Sequence, residues 1–167
     1  FEAYPTFLAN QLELPAAPVT PVPLDKHILS LGQRYDRHDQ GGIIQRVHQE
    51  DFCQAQGLSR TDKYTSSPDT FTTVGNLLRE YSVQPARDLQ ALASWQVFNA
   101  LAGNTDGHLK NLALVAVGGG WQLAPFYDLV CTLAIPNVSH RLALPVGSKD
   151  DPQNLHRNHW NDFADQL

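Results

Sequence analysis

The 167-residue sequence predicts an α+β fold, mostly α-helical with a β-hairpin, and two observations carry that expectation. Apolar residues recur every three or four positions across 71–81 and again across 89–101, the spacing of one helix face. Two short apolar runs, 111–117 and one from Trp121, flank the turn Gly118-Gly119-Gly120, as in a hairpin. The length suits one domain, and 42% apolar with 17% charged residues argues against disorder, collagen or a coiled coil. The apolar runs are short and interrupted, so the sequence predicts no membrane span and no signal peptide, and a cytoplasmic protein. Twelve Lys and Arg against 17 Asp and Glu give a net charge of -5, which excludes a surface that attracts nucleic acid as a whole.

Taken in order, residues 2–14 read as a helix with Phe7, Leu8 and Leu12 on its apolar side, started near Pro5. The proline-rich stretch 15–23 reads as an extended connector. Residues 27–35 read as a strand, closed into a hairpin by 43–47 across a turn at Gly41-Gly42. Residues 49–56 read as a short helix stopped by Gly57, and 63–69 as a loop. Phe71, Val74, Leu77, Leu78 and Tyr81 mark a second helix that Pro85 ends. Asp88 then caps a third, whose stripe of Leu89, Leu92, Ala93, Val97, Ala100 and Leu101 runs to Gly103. Trp160, Phe163, Ala164 and Leu167 indicate a last helix. Cys53 and Cys131 read as free thiols, and Trp95, Trp121 and Trp160 as core or half-buried anchors. His156 and His159 read as a solvated face, and the absence of Met with Phe1 at the start points to a piece of a longer protein.

Chemistry concentrates in Gly103-Asn104-Thr105-Asp106-Gly107-His108-Leu109-Lys110-Asn111, polar and glycine-rich between a strong helix and a strong hairpin. Phosphoryl transfer needs a carboxylate to orient the attacking hydroxyl and take its proton, together with oxygen ligands for Mg²⁺. A kinase catalytic loop supplies an Asp, an Asn five residues later, and a second Asp after a hairpin. Asp106, Asn111 and Asp128 have those offsets. Asn, Asp and Gly are also the commonest turn residues, so the loop alone reads equally as turn chemistry. Lys110, the hairpin, and a carboxylate at Asp128 beside Phe126 and Tyr127, expected half-buried, favour a metal and nucleotide site.

Residues 33–145 resemble the C-terminal lobe of the HipA family of serine/threonine kinase toxins from bacterial toxin-antitoxin pairs. The matching pieces, in order, are Arg34-Tyr35-Asp36-Arg37, His48-Gln49-Glu50-Asp51-Phe52-Cys53-Gln54, the loop quoted above, and Leu123-Ala124-Pro125-Phe126-Tyr127-Asp128-Leu129. The resemblance implies a protein-kinase-like lobe over 37–167, with 1–36 as inter-lobe helix, connector and hinge strand. It implies ATP and Mg²⁺ as cofactors, Asp106 as catalytic base, and Asn111 and Asp128 as Mg²⁺ ligands. His108, Lys110 and Tyr127 would border the nucleotide, and Gln33, Arg34 and Tyr35 would meet the adenine. It further implies a protein substrate such as an aminoacyl-tRNA synthetase, a HipB-like antitoxin as partner, and contact with nucleic acid only through that antitoxin. The family's Gly-rich phosphate loop and its lysine do not precede this region: ahead of Gln33 the sequence has one glycine, Gly32, and one lysine, Lys26. The alternative reading is therefore a non-catalytic, kinase-like interaction module.

Overall fold

A computed structural model of the chain describes residues 2–64, 67 and 69–167. Helix α1 covers Ala3–Gln11, with Pro5 in the first turn, where its missing N–H costs nothing. It buries Pro5, Thr6 and Ala9, whereas Phe7 and Leu12 are exposed, so the expected apolar side is not the packed one.

The first half of the chain departs most from the sequence reading. Strand β1, Val19–Leu24, lies inside the proline-rich stretch and pairs antiparallel with β2, His27–Gly32. Pro18 accepts the Gln33 N–H at 2.9 Å, which sets the bonding parity. Pro21 and Pro23 then fall at positions facing away from β2, so an edge strand tolerates both. The expected pairing of 27–35 with 43–47 is thus replaced by two local hairpins, the second joining β3, Arg37–Gln40, to β4, Ile43–Arg46. Gly41 and Gly42 both have positive φ, 67° and 90°, as a two-residue primed turn demands. The first hairpin turns at Asp25 with φ 52°, a signal weaker than glycine and overlooked for that reason.

Residues 49–56 are half strand and half helix. Gln49–Asp51 forms β5, and Asp51 then caps α2, Phe52–Ala55, by accepting the Gln54 N–H at 2.9 Å. A 3-10 turn spans Arg60–Tyr64; of the loop expected at 63–69, Thr65, Ser66 and Pro68 lie outside the described residues. Helix α3, Thr70–Tyr81, buries Phe71, Val74 and Leu78 as its spacing predicts.

Helix α4, Pro85–Ala102, starts at Pro85 rather than after it, because proline at the first helical position gives up an N–H that has no partner there. Asp88 does not cap it. Its carboxylate is buried and accepts from Ser82 Oγ at 2.6 Å and Leu123 N at 2.8 Å, tying α4 to the sheet. The buried face runs Asp88, Leu92, Trp95, Gln96, Asn99, and the expected stripe is rotated from it: Leu101 is 82% exposed. Gln96 is admitted to the core because its amide reaches Leu144 O at 2.7 Å.

A 3-10 turn at Leu109–Asn111 leads into β6, Ala113–Val117, which pairs with β7, Gly120–Leu123, on one side and β5 on the other. The expected hairpin is therefore the core of a three-stranded sheet. Helix α5, Arg157–Gln166, packs Phe163 edge-on to Phe71 at 4.7 Å. Trp95 is fully buried, Cys53 is a buried free thiol, and Cys131 is free and partly buried. No described helix is long and apolar enough to cross a membrane.

Candidate active site

The loop after α4 begins at Gly103, whose φ of 72° ends the helix in the left-handed region. From Gly103 to Leu109 every residue is buried except Asp106. A loop that buries its whole length and exposes one carboxylate spends folding energy to aim that group. Internal bonds hold it there. Thr132 Oγ1 accepts the Thr105 N–H at 2.7 Å and donates to Gly103 O at 3.0 Å, while Thr105 Oγ1 donates to Ser139 O at 2.7 Å and Thr105 O accepts from Ala143 N at 2.9 Å. On the inner side the loop touches α4, where a Cβ at Gly107 would stand 2.7 Å from Asn99 Nδ2. Among the described residues the Asp106 carboxylate accepts from the Tyr64 hydroxyl at 2.9 Å.

The second acidic group comes from the segment after β7. Asp128 has φ 57°, an uncommon conformation for a residue other than glycine, between buried Phe126 and Leu129. It is exposed, not half-buried as expected, because this twist turns its side chain out of the core. Its Oδ2 accepts from Asn111 Nδ2 at 2.7 Å, and Asn111 Oδ1 in turn accepts the His108 N–H at 3.0 Å. Asp106 and Asp128 line one cleft of about 720 Å³. Burial, and next the charge of Asp128, raise the Glu2 carboxyl above the ordinary glutamate value.

Three basic or aromatic neighbours complete the picture. His108 Nε2 accepts from Lys63 Nζ at 2.8 Å, which puts the ring proton on Nδ1, an atom without a partner among the described residues. Burial, then Lys63, lowers the His108 value, so the ring is neutral at pH 7. Lys110 donates to Asp51 Oδ2 at 2.5 Å and is paired rather than projecting alone.

Gln33, Arg34 and Tyr35, expected to form a hinge, sit at a second, smaller cleft of about 200 Å³, which Glu2 and Tyr127 also line. The Gln33 N–H is committed to Pro18. Arg34 grips Asp36 with two bonds of 2.6 Å. The Tyr35 and Tyr127 rings lie 5.9 Å apart; Tyr35 donates to Gln49 Oε1 and Tyr127 to Lys110 O at 2.5 Å. Burial, with Asp36 next, pushes the Tyr35 phenol up to about 12, and burial raises Tyr127 further. Neither ionises in the physiological range. Tyr64, Lys63, Thr132 and Asp51 reach this loop from far along the chain, so no local spacing in the sequence marks them as its partners.

Asp128 offers carboxylate oxygens, which suit a hard cation such as Mg²⁺; the Asn111 Oδ1 is bonded to the His108 N–H and its Nδ2 faces Asp128, so the amide has to turn before its oxygen joins them. Among the described residues no three His, Cys, Asp or Glu side chains gather as a complete metal cage. Mg²⁺ needs none, since it is commonly held by one or two side chains with phosphate and water filling the rest.

The profile of the HipA-like C-terminal domain matches residues 2–167. The chain belongs to that family. Among HipA relatives, a Sinorhizobium fredii protein named "Putative kinase Y4mE" is 37% identical over 165 residues, 98% of this chain and 39% of its own length. The serine/threonine-protein kinase toxin HipA of Shewanella oneidensis is 28% identical over 173 residues, 96% of this chain and 40% of its own. The solved complex of Shewanella oneidensis HipA with HipB and operator DNA contains a chain that superposes with a TM-score of 0.89 at 27% identity, covering 99% of this chain and 42% of that one. The fold is thus that of the HipA C-terminal region, and the chain spans about two-fifths of the length of these relatives.

Proposed function

We propose that this chain is the C-terminal lobe of a serine/threonine protein kinase that, in its full gene product, transfers the γ-phosphoryl of ATP to a protein hydroxyl. The observation that carries the reading is the exposure of Asp106 alone in a buried loop, facing the same cleft as an Asp128 that is hydrogen-bonded to Asn111. Asp106 orients the acceptor hydroxyl and takes its proton as oxygen forms its bond to the γ-phosphorus and the bond to the β–γ bridging oxygen breaks. Asn111 and Asp128 would hold Mg²⁺, which supplies charge neutralisation on the phosphates. Tyr35 and Tyr127 wall the smaller cleft, where an adenine ring would lie against their faces. Lys110 would face the phosphates once its pair with Asp51 opens.

The toxin role and a HipB-like antitoxin partner follow from likeness to the named relatives, with DNA reached through the antitoxin. In the full gene product, Asp106→Asn should lower phosphoryl transfer about 10²-fold or more with folding intact, as followed with labelled ATP. Wild-type transfer by that variant would overturn the assignment of the base. Absence of both transfer and Mg-ATP binding heat in the full product would favour the non-catalytic module, which the engagement of Lys110 by Asp51 also suits.

A further inference from the structure

The cleft that holds Asp106 is much larger than a hydroxyl requires, and its far wall does not resemble a nucleotide site. Beyond the two carboxylates it is lined by Val130, Ile135, Val138, Leu142 and Ala143, all from the segment after Asp128. Val138 is 39% exposed. The charged residue of this wall, Arg141, is occupied: it pairs with Asp150 at 3.0 Å and lies 3.8 Å from Asp151. The wall therefore offers apolar surface rather than free charge. At the floor, Asn104 is 2% exposed and its Oδ1 has no partner among the described residues, which leaves an unused acceptor beside the loop.

The wall is also fixed relative to Asp106. Thr105, the adjacent residue, bonds to Thr132, Ser139 and Ala143, which are interleaved with the apolar positions along the chain. Since three bonds join them, the apolar pocket and the carboxylate keep one separation, and a ligand spanning both must carry its hydroxyl and its apolar group at a matching spacing.

Resting on the phosphoryl-transfer reading above, we infer that this cleft selects the substrate: it takes an extended protein segment whose serine or threonine meets Asp106 while a large aliphatic side chain, within two residues of the acceptor, fills the pocket of Val130, Ile135, Val138 and Leu142. An extended chain advances about 3.3 Å per residue, so a neighbouring side chain reaches a wall hydrogen-bonded to the residue next to the base. Charged flanking residues are disfavoured because the wall would desolvate them without a partner.

The experiment uses the full gene product and short alanine-based peptides carrying a central serine flanked by Leu, Ala or Asp. Two readouts run in parallel, phosphoryl transfer with labelled ATP and fluorescence anisotropy of the labelled peptides without nucleotide. The Leu peptide should have a KM at least tenfold below the Asp peptide with kcat within about twofold, and should bind tighter by anisotropy. Val138→Asp should remove the advantage of the Leu peptide over the Ala peptide, with Ile135→Asp as a second variant. Val138→Lys should reverse it toward the Asp peptide, a gain that a misfolded protein cannot mimic. Equal KM and equal anisotropy for all three peptides, or a Leu preference untouched by either Asp variant, would overturn the inference. Leu-selective binding that Val138→Asp abolishes, without transfer to any peptide, would keep the groove and overturn the kinase reading instead.

Discussion

The two hairpins of residues 19–46 and the loop-and-wall unit of residues 103–146 are stabilised in opposite ways. In β1 and β2 every residue but Val19 is exposed, including Ile28, Leu29 and Leu31, and β4 is exposed throughout. These strands rest on local turn geometry and on each other, and an isolated two-stranded hairpin is marginal in water. The 103–146 unit has little regular structure beyond β6 and β7, yet it buries Thr105, His108, Asn111 and Thr132 and bonds most of their polar atoms. Regular secondary structure is thus a poor guide to which part of this molecule is rigid. The carboxylates of the candidate site sit in the irregular part because that part is the one held in a single geometry.

Substitutions ranked by expected cost test that contrast. Thr132→Ala should be the most damaging, at about 3 kcal/mol, since it strips partners from the buried Thr105 N–H and Gly103 carbonyl; urea unfolding measures it, and a cost under 0.5 kcal/mol would show that the loop is not pinned this way. Gly107→Ala should cost about 2 kcal/mol, because the new methyl meets Asn99 at 2.7 Å and a Trp95 ring carbon at 3.2 Å.

Asp36, between the two hairpins of the first region, gives a pH-dependent case. Its bonds to Arg34, then Arg37, hold its carboxyl down at about 2, against an ordinary value near 3.8. A depressed value in the folded state means the stabilisation is present above about pH 4 and is lost as pH falls toward 2. Asp36→Asn should therefore cost about 1 kcal/mol at pH 7, reduced from the full shift because Arg34 is well exposed, and the gap between variant and parent should close in acid. A gap independent of pH would assign the loss to packing. Last, Ile28→Thr on the exposed hairpin should change stability by less than about 0.5 kcal/mol in the same unfolding assay.

The sequence was most legible where a signal is local. The apolar period of α3, the glycine end of α4, the glycine turn between β6 and β7, and the Asp106, Asn111 and Asp128 offsets all lie within short windows. Legibility failed where a distant partner changed what a residue could do. Asp88 reads as a cap but serves Ser82 and Leu123, the buried face of α4 includes Gln96 and Asn99, and the proline stretch pairs as an edge strand. Tyr64 meets Asp106 across 42 positions, a contact with no periodicity to betray it.

By itself, then, the order of residues determined which segments coil or extend, and which polar groups are offered at the loop and after the hairpin, because propensity, capping and turn chemistry act within a few residues. Only the tertiary structure decided which face of α4 is buried, that Asp128 is turned out to solvent while Asn111 holds it, and that an apolar wall stands fixed beside Asp106. The physical reason is that burying a polar group is favourable only when its partner arrives, and here Asn111 meets Asp128 from 17 residues away and Gln96 meets Leu144 from 48.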